Sequence, residues 1–282
     1  MSCLAGTLYL CATPIGNLGD ITVRVIEILK SVDIIAAEDT RNTLKLLNHF
    51  EIKTPMTSYH QHNMDTKGPV LIEKLKDGKN IALVTDAGMP GISDPGEDMA
   101  KRCRQEGIPV TIAPGASAGI SALVLSGMDA RRYVFEGFLP TDKKERQTVL
   151  KNLEKETRTT VFYEAPHRLT DTLGVLLKAA GDREASTVRE ITKRYEEVKH
   201  GTLGSLLEYY KENPPKGEFV VIVGGMSESV LRQEEIDGWN SISVEEHMKK
   251  YTDEGMSEKE AMKKVAKDRG VSKREIYAYL NR

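Results

Sequence analysis

What this 282-residue chain lacks narrows its chemistry first. Cysteine is nearly absent: Cys3, Cys11 and Cys103 form no CxxC pair and no spacing that gathers four thiolate or imidazole ligands, so neither a disulfide scaffold nor a structural zinc site is expected. The expectation is of reduced, structural thiols in a reducing compartment. Charge of one sign is also missing. The formal net charge is −2, which argues against wholesale electrostatic capture of nucleic acid and leaves only local contacts. No apolar run is long enough to cross a bilayer, and the opening MSCLAGTLYLCATP has no basic leader, so it reads as a strand and not as an export signal. No membrane association and a cytoplasmic setting follow as expectations. The first strand is followed by PIGNLGDIT, residues 14 to 22, without the GxGxxG spacing that seats a pyrophosphate on a helix N-terminus, and dinucleotide and P-loop chemistry lose support.

Short β-branched or apolar runs are present instead, alternating with helical periodicity: residues 7–13, 33–38, 80–85 and 109–113, then 133–139, 159–164, 184–191 and 217–223. The alternation predicts an α/β fold of βαβ units. The segment 21–32 has helical spacing, with Asp20 placed as its N-cap, and 71–79 ends at Gly78. TVREITK and YEEVKHGTL are joined by too few residues for a helix, which predicts an antiparallel pair and a mixed second sheet. The expected organisation is an α/β domain over 1–115, a second over 116–225, a polar linker over 226–242 and a helical tail over 243–282. In that tail three patterns each start at a serine (Ser243, Ser257, Ser272), and the last two have helix-turn-helix spacing across Gly270 and Val271.

Ligands of open parallel sheets bind beyond the carboxyl ends of the strands. The strand at 80–85 runs there into TDAGMPGISDPG, whose three glycines and two prolines in twelve residues impose a fixed, exposed backbone suited to a polar small molecule. Asp94 is expected to cap the following helix. AAEDTR (36–41), PGASA (114–118), FYEAPHR (162–168) and REITKR (189–194) also follow or end predicted strands. Glu38, Asp39, Glu164, His167 and Glu190 are candidates to accept a proton or hold a hydroxyl, and Arg41, Arg168 and Arg189 to grip phosphate. His60 and His62 in YHQHN have no third ligand nearby, so no metal is expected. No Ser/His/Asp order or reactive-cysteine context supports covalent catalysis.

Together TPIGNLGDIT, AAEDTR, TDAGMPGISDPG, PGASA, EGFLP, FYEAPHR and REITKRYEE, in this order over about residues 5 to 225, closely resemble the ribosomal RNA small subunit methyltransferase I family of the tetrapyrrole-methylase superfamily. The resemblance implies two α/β domains of the tetrapyrrole-methylase type with the cofactor cleft between them, and a small helix-turn-helix-like C-terminal domain. It implies S-adenosylmethionine as methyl donor, touching Pro14, Asp86, Met89, Ile92, Ser117, Ala118 and Tyr163. It also implies a cytidine ribose 2′-hydroxyl of 16S rRNA, near the decoding centre of the small ribosomal subunit, as acceptor, and a homodimer. Precorrin-type members carry a GDP-type turn where this chain reads TDAGMPG, which favours the RNA branch over a tetrapyrrole or other small-molecule acceptor. The catalytic carboxylate is sought among Glu38, Asp39, Glu164 and Glu190. The tail holds ten Lys or Arg against eight Asp or Glu, and Lys263, Lys264, Lys267, Lys273 and Arg274 are its candidate RNA contacts. A ligand-sensing helix-turn-helix regulator is the reading from another class, but it calls for a more basic recognition helix than SKREIYAYLNR.

Overall fold

The computed structural model describes residues 5–281; Cys3 lies outside them. Two five-stranded sheets organise residues 5–223. The first is wholly parallel, in the order β3-β2-β4-β1-β5, from β1 (Leu8–Cys11), β2 (Ile34–Ala37), β3 (Met56–Ser58), β4 (Ile81–Val84) and β5 (Val110–Ala113). Its central strands alternate between two cores, as the period of a strand requires. Ala82 and Val84 face the layer of α1 (Val23–Ser31) and α2 (Thr40–His49), whereas Ile81 and Leu83 face that of α3 (Met64–Lys76) and α4 (Gly96–Gln105). Burial on both faces explains why β4 reads as a continuous apolar run. The short edge strand β3 has no fully buried residue, so its sequence carries no apolar signal.

The second sheet is mixed, in the order β6-β7-β10-β8-β9, from β6 (Tyr133–Phe138), β7 (Thr159–Glu164), β8 (Glu184–Arg189), β9 (Glu197–Thr202) and β10 (Phe219–Val223). β8 and β9 pair antiparallel with Arg189 opposite Glu197, as the short connection requires. Phe219, Val221 and Val223 face α6 (Lys143–Glu154), α7 (Leu169–Ala180) and α8 (Leu203–Glu212). Val220 and Ile222 face α5 (Ala118–Ser126) in a core that also takes in Ile15 from the loop after β1. That residue ties the first sheet's loops to the second sheet.

Two local expectations are corrected. Thr22, not Asp20, caps α1, its side chain accepting from the Val25 amide at 3.2 Å, because Asp20 is taken up in a 3-10 turn, Leu18–Asp20. The span 226–242, expected as a linker, carries helix α9 (Glu228–Asn240), nucleated by Ser227 as N-cap, though none of its residues is buried. Its polarity hid a helix that packs by one edge. The tail folds as expected into α10 (Val244–Asp253), α11 (Glu258–Asp268) and α12 (Lys273–Leu280), and Ser243, Ser257 and Ser272 each form a capping box with the glutamate three residues on. Trp239 of α9 stacks on buried His247 of α10, ring centroids 3.9 Å apart and 6° from coplanar.

Candidate active site

The loops that follow β1, β2 and β4 are locked to one another before any ligand is considered. Thr13 and Gly88 exchange backbone hydrogen bonds (2.9 and 3.1 Å), and the Thr13 hydroxyl donates to the Thr85 carbonyl. Gly88 has φ +86°, a conformation that a side chain resists. Glu38 accepts from the Thr85 hydroxyl at 2.7 Å and from the Asp86 amide at 3.3 Å. Asp86 in turn accepts from the Asp39 amide (3.1 Å) and from the Asn42 side chain (3.3 Å). Asp94 closes the loop by accepting from the Gly91 and Gly96 amides at 2.8 and 2.7 Å. The N-cap position of α4 is Pro95, with no side-chain cap, so Asp94, expected as the cap, stands one residue earlier and instead ties the loop to the helix's first amide.

This scaffold forms one wall of a cleft of ≈ 710 Å³, inside the range of small-molecule sites. The other wall comes from the ends of β7 and β8 and the start of β10, which lie at one end of the mixed sheet because β10 runs against both neighbours. Apolar Ile15, Met89, Ile92, Val188, Ile191 and Val220 line it together with Asp86, Ser93 and Ser117. Tyr163 crosses between the halves: its hydroxyl accepts from the Gly119 amide at 3.1 Å, fixing the first turn of α5, and burial raises its pKa. Ser93, Glu190 and Thr192 are non-glycine residues at positive φ (65°, 51°, 62°). Such strain is retained only where surrounding contacts over-determine it, and it gathers at functional sites.

Of the residues expected to hold a cofactor, Asp86, Met89, Ile92, Ser117, Ala118 and Tyr163 line the cleft, and Pro14 lines an adjoining cavity that shares Thr85 and Asp86 with it. The four candidate carboxylates do not come together. Glu38 and Glu164 line the cleft, and Asp39 and Glu190 are not among its lining residues. Asp39 is engaged by Arg41, side chain and amide, which brings its pKa down to about 2. Burial works against the charge of Glu190, but the Glu218 amide and Lys193 outweigh it and lower its pKa. Glu164 is almost wholly buried and accepts from the Thr172 hydroxyl (2.6 Å) and the Ala165 amide (2.8 Å).

The arginines are likewise partly committed. Arg168 donates to the Leu139 carbonyl at 2.7 Å, Arg189 lies 3.6 Å from Glu197, and Arg41 projects into solvent while paired with Asp39. In the tail Lys263, Lys264, Lys267, Lys273 and Arg274 are all exposed, far along the chain from the cleft residues. Sequence reasoning did not single out Lys193, Glu218 or Phe138, all of which line the cleft. Lys193 donates to Glu190 and Glu218 at 2.9 and 2.8 Å, and these bonds outweigh burial and raise its pKa. Only the flanking charges of REITKR could have hinted at that. Among the described residues no group of three or more His, Cys, Asp or Glu is placed to hold a metal, and no helix is long and apolar enough to cross a membrane. Cys11 and Cys103 are buried free thiols, pushed by burial to about 12 and about 11.

A family model described as tetrapyrrole (corrin/porphyrin) methylases matches residues 7–207. The chain is 51% identical over 272 residues to the "Ribosomal RNA small subunit methyltransferase I" of Halalkalibacterium halodurans, covering 96% of this chain and 93% of that protein. It is 48% identical to the protein of the same name from Bacillus subtilis, with the same coverage. Among solved structures, diphthine synthase superposes with a TM-score of 0.61 at 16% identity, covering 78% of this chain and 89% of that one. Uroporphyrin-III-C-methyltransferase from Thermus thermophilus gives 0.56 at 19%, covering 78% and 94%. These last two similarities establish the shared fold.

Proposed function

Since the chain belongs to the tetrapyrrole methylase family and to its ribosomal RNA small subunit methyltransferase I branch, we propose that it is the enzyme that transfers a methyl group from S-adenosylmethionine to a cytidine ribose 2′-hydroxyl of small-subunit rRNA. The observation that carries the donor assignment is the lining of the cleft: apolar side chains along its length, with carboxylate and hydroxyl groups on both walls. An adenosyl group with an amino-acid end and no phosphate fits that chemistry, and Asp86, Ser117 and the backbone around Met89 and Ile92 are the residues that hold it, with Tyr163 closing the far side.

When bound, S-adenosylmethionine supplies an electrophilic methyl on a sulfonium whose leaving group is a neutral thioether. The protein's contribution is then chiefly to position and to exclude water. Glu38 acts through Thr85 and the Asp86 amide, holding the loop in register. Glu164 acts through Thr172 and the Ala165 amide, holding the turn at 166–168. The acceptor oxygen becomes strongly acidic as it takes the methyl, so its proton leaves late and passes to water without a strong base, consistent with cleft carboxylates that already accept hydrogen bonds from protein donors.

The working form is a homodimer in the cytoplasm. Val110 and Ile112 on the edge strand β5, Ile120, Val124 and Leu125 on α5, and Tyr133 and Phe135 on the edge strand β6 are exposed apolar residues on three consecutive elements. Unpaired sheet edges carrying such residues call for cover. The tail's lysines and Arg274 serve as an accessory RNA contact. Incubation with labelled S-adenosylmethionine and small subunits from cells lacking the activity, followed by nucleotide mapping, tests the assignment. Label at one cytidine ribose supports it, and absence of label in RNA favours a small-molecule acceptor.

A further inference from the structure

Beside the donor cleft lies a second cavity of ≈ 220 Å³, and the two share Thr85 and Asp86 as a common wall. Its other sides are Pro14, Gly16 and Leu18 from the loop after β1, and Asn42, Lys45 and Leu46 from α2. The cavity is smaller than the ~300–1,000 Å³ of a site that engulfs a whole small ligand, so it suits one unit of a larger substrate. Its chemistry is graded. Asp86 and Asn42, hydrogen-bonded to each other, form a polar wall on the donor side; Leu18 is apolar and 41% exposed; Lys45 stands exposed. Among the described residues no carboxylate lies within ion-pair distance of Lys45, whereas the neighbouring cation Arg41 is tied to Asp39. Helical spacing places Asn42, Lys45 and Leu46 on one face of α2, because residues three and four apart are neighbours.

We propose that this cavity is the acceptor subsite, which takes one nucleotide of a single-stranded RNA segment with its ribose toward Asp86 and its flanking phosphate on Lys45. The proposal rests on the rRNA reading above and adds to it the place where the acceptor enters. A cation without a carboxylate partner at the mouth of a cavity is free to neutralise a phosphate and release a counterion. The polar wall faces the hydroxyl-bearing sugar, and the shared Asp86 keeps that sugar next to the donor. Arg41, one turn away and already neutralised by Asp39, is the weaker anion site.

The test measures methyl transfer to small subunits from cells lacking the activity, using the full-length protein, beside calorimetric titration with S-adenosylmethionine. K45E is expected to raise the subunit KM about tenfold, equivalent to ~1.4 kcal/mol, with donor affinity within about twofold of wild type. The slope of log(kcat/KM) against log salt should become shallower by about 0.7 in K45A, the loss of one phosphate contact to a single strand. K45R should restore most of both, and K151A, on the exposed face of α6, should match wild type. A K45E protein with wild-type KM and salt slope overturns the subsite while leaving the rRNA reading intact. So does one that loses donor affinity in proportion to its loss of transfer. Wild-type protein that methylates no RNA overturns the rRNA reading and the subsite together.

Discussion

Thr172→Val separates a structural from a chemical role for Glu164. The carboxylate is 2% exposed at the end of β7 and accepts from Thr172 Oγ1 at 2.6 Å and from the Ala165 amide at 2.8 Å, with Arg168 Nε 3.5 Å away. Valine keeps the shape of threonine and removes only the hydroxyl. A hydrogen bond to a charged group contributes ~1.5–3 kcal/mol, and the buried acceptor gains no water in exchange. At roughly 2–4 °C per kcal/mol for a chain of this order of size, the melting temperature should fall by about 4–8 °C for a loss near 2 kcal/mol. Because the hydroxyl reaches the cleft only through Glu164, whose role is to hold the turn, kcat should stay within about threefold of wild type, measured well below the lowered transition. Glu164→Gln should behave alike, losing stability but little rate. Removal of a general base, by contrast, costs about 10²–10⁴ in rate. A Glu164→Gln protein of unchanged melting temperature and hundredfold lower kcat would refute the structural assignment. An unaltered melting temperature in Thr172→Val would refute the energetic argument.

Three further outcomes are expected. Val124→Asp, on the exposed face of α5 where Val124 is 69% accessible, should convert a dimer to monomer in sedimentation velocity without changing the circular dichroism spectrum, since an unpaired carboxylate is costly buried in an interface and solvated on the monomer; a wild-type monomer or a dimeric variant contradicts the proposed interface. Gly88→Val forces a branched side chain into φ +86° with its Cβ 3.4 Å from Ile15 Cγ2, and should weaken S-adenosylmethionine binding by at least about tenfold in calorimetry, a ~1.4 kcal/mol effect in keeping with strain at such a position; unchanged affinity would exclude the loop from the donor site. The third concerns pH. Burial first, then the neighbouring Arg269, lower the pKa of His247 below 6.5, with Arg269 Nε donating to its Nδ1 at 3.1 Å and Asp268 3.6 Å from Nε2. With the folded value depressed, the unfolded state binds the extra proton, so this contribution to stability is full above pH about 6.5 and declines as pH falls below it. Trp239, the single tryptophan and the ring stacked on His247, with Lys250 Nζ 4.6 Å from its ring centroid, should report this as a reversible fluorescence change that His247→Phe abolishes. A change of equal size in the variant would assign the signal elsewhere.

The sequence by itself determined whatever depends on neighbours in the chain. The cores of the sheets follow from continuous apolar runs such as β4 and β10, buried on both faces, and from helical spacing around them, and the tail's capping boxes need only a serine and a glutamate three residues apart. The rigidity of the loop from Thr85 to Gly96 is written in its glycines and prolines, and the order of the motifs carried the family. What it left open was decided by contacts across the chain. Whether Glu38, Asp39, Glu164 or Glu190 has a free oxygen depends on Thr85, Arg41, Thr172 and Glu218, which no periodicity brings to them. Helix α9 was hidden because a helix with no buried face leaves no apolar stripe, and β3 because an edge strand of three half-buried residues leaves no run. The cleft's second wall, with Lys193 held between Glu190 and Glu218, and the placement of Asp86 between two cavities exist only when the two sheets turn their strand ends toward each other. A carboxylate's chemistry is set by the donors that reach it in space, and that is a property of the packed molecule.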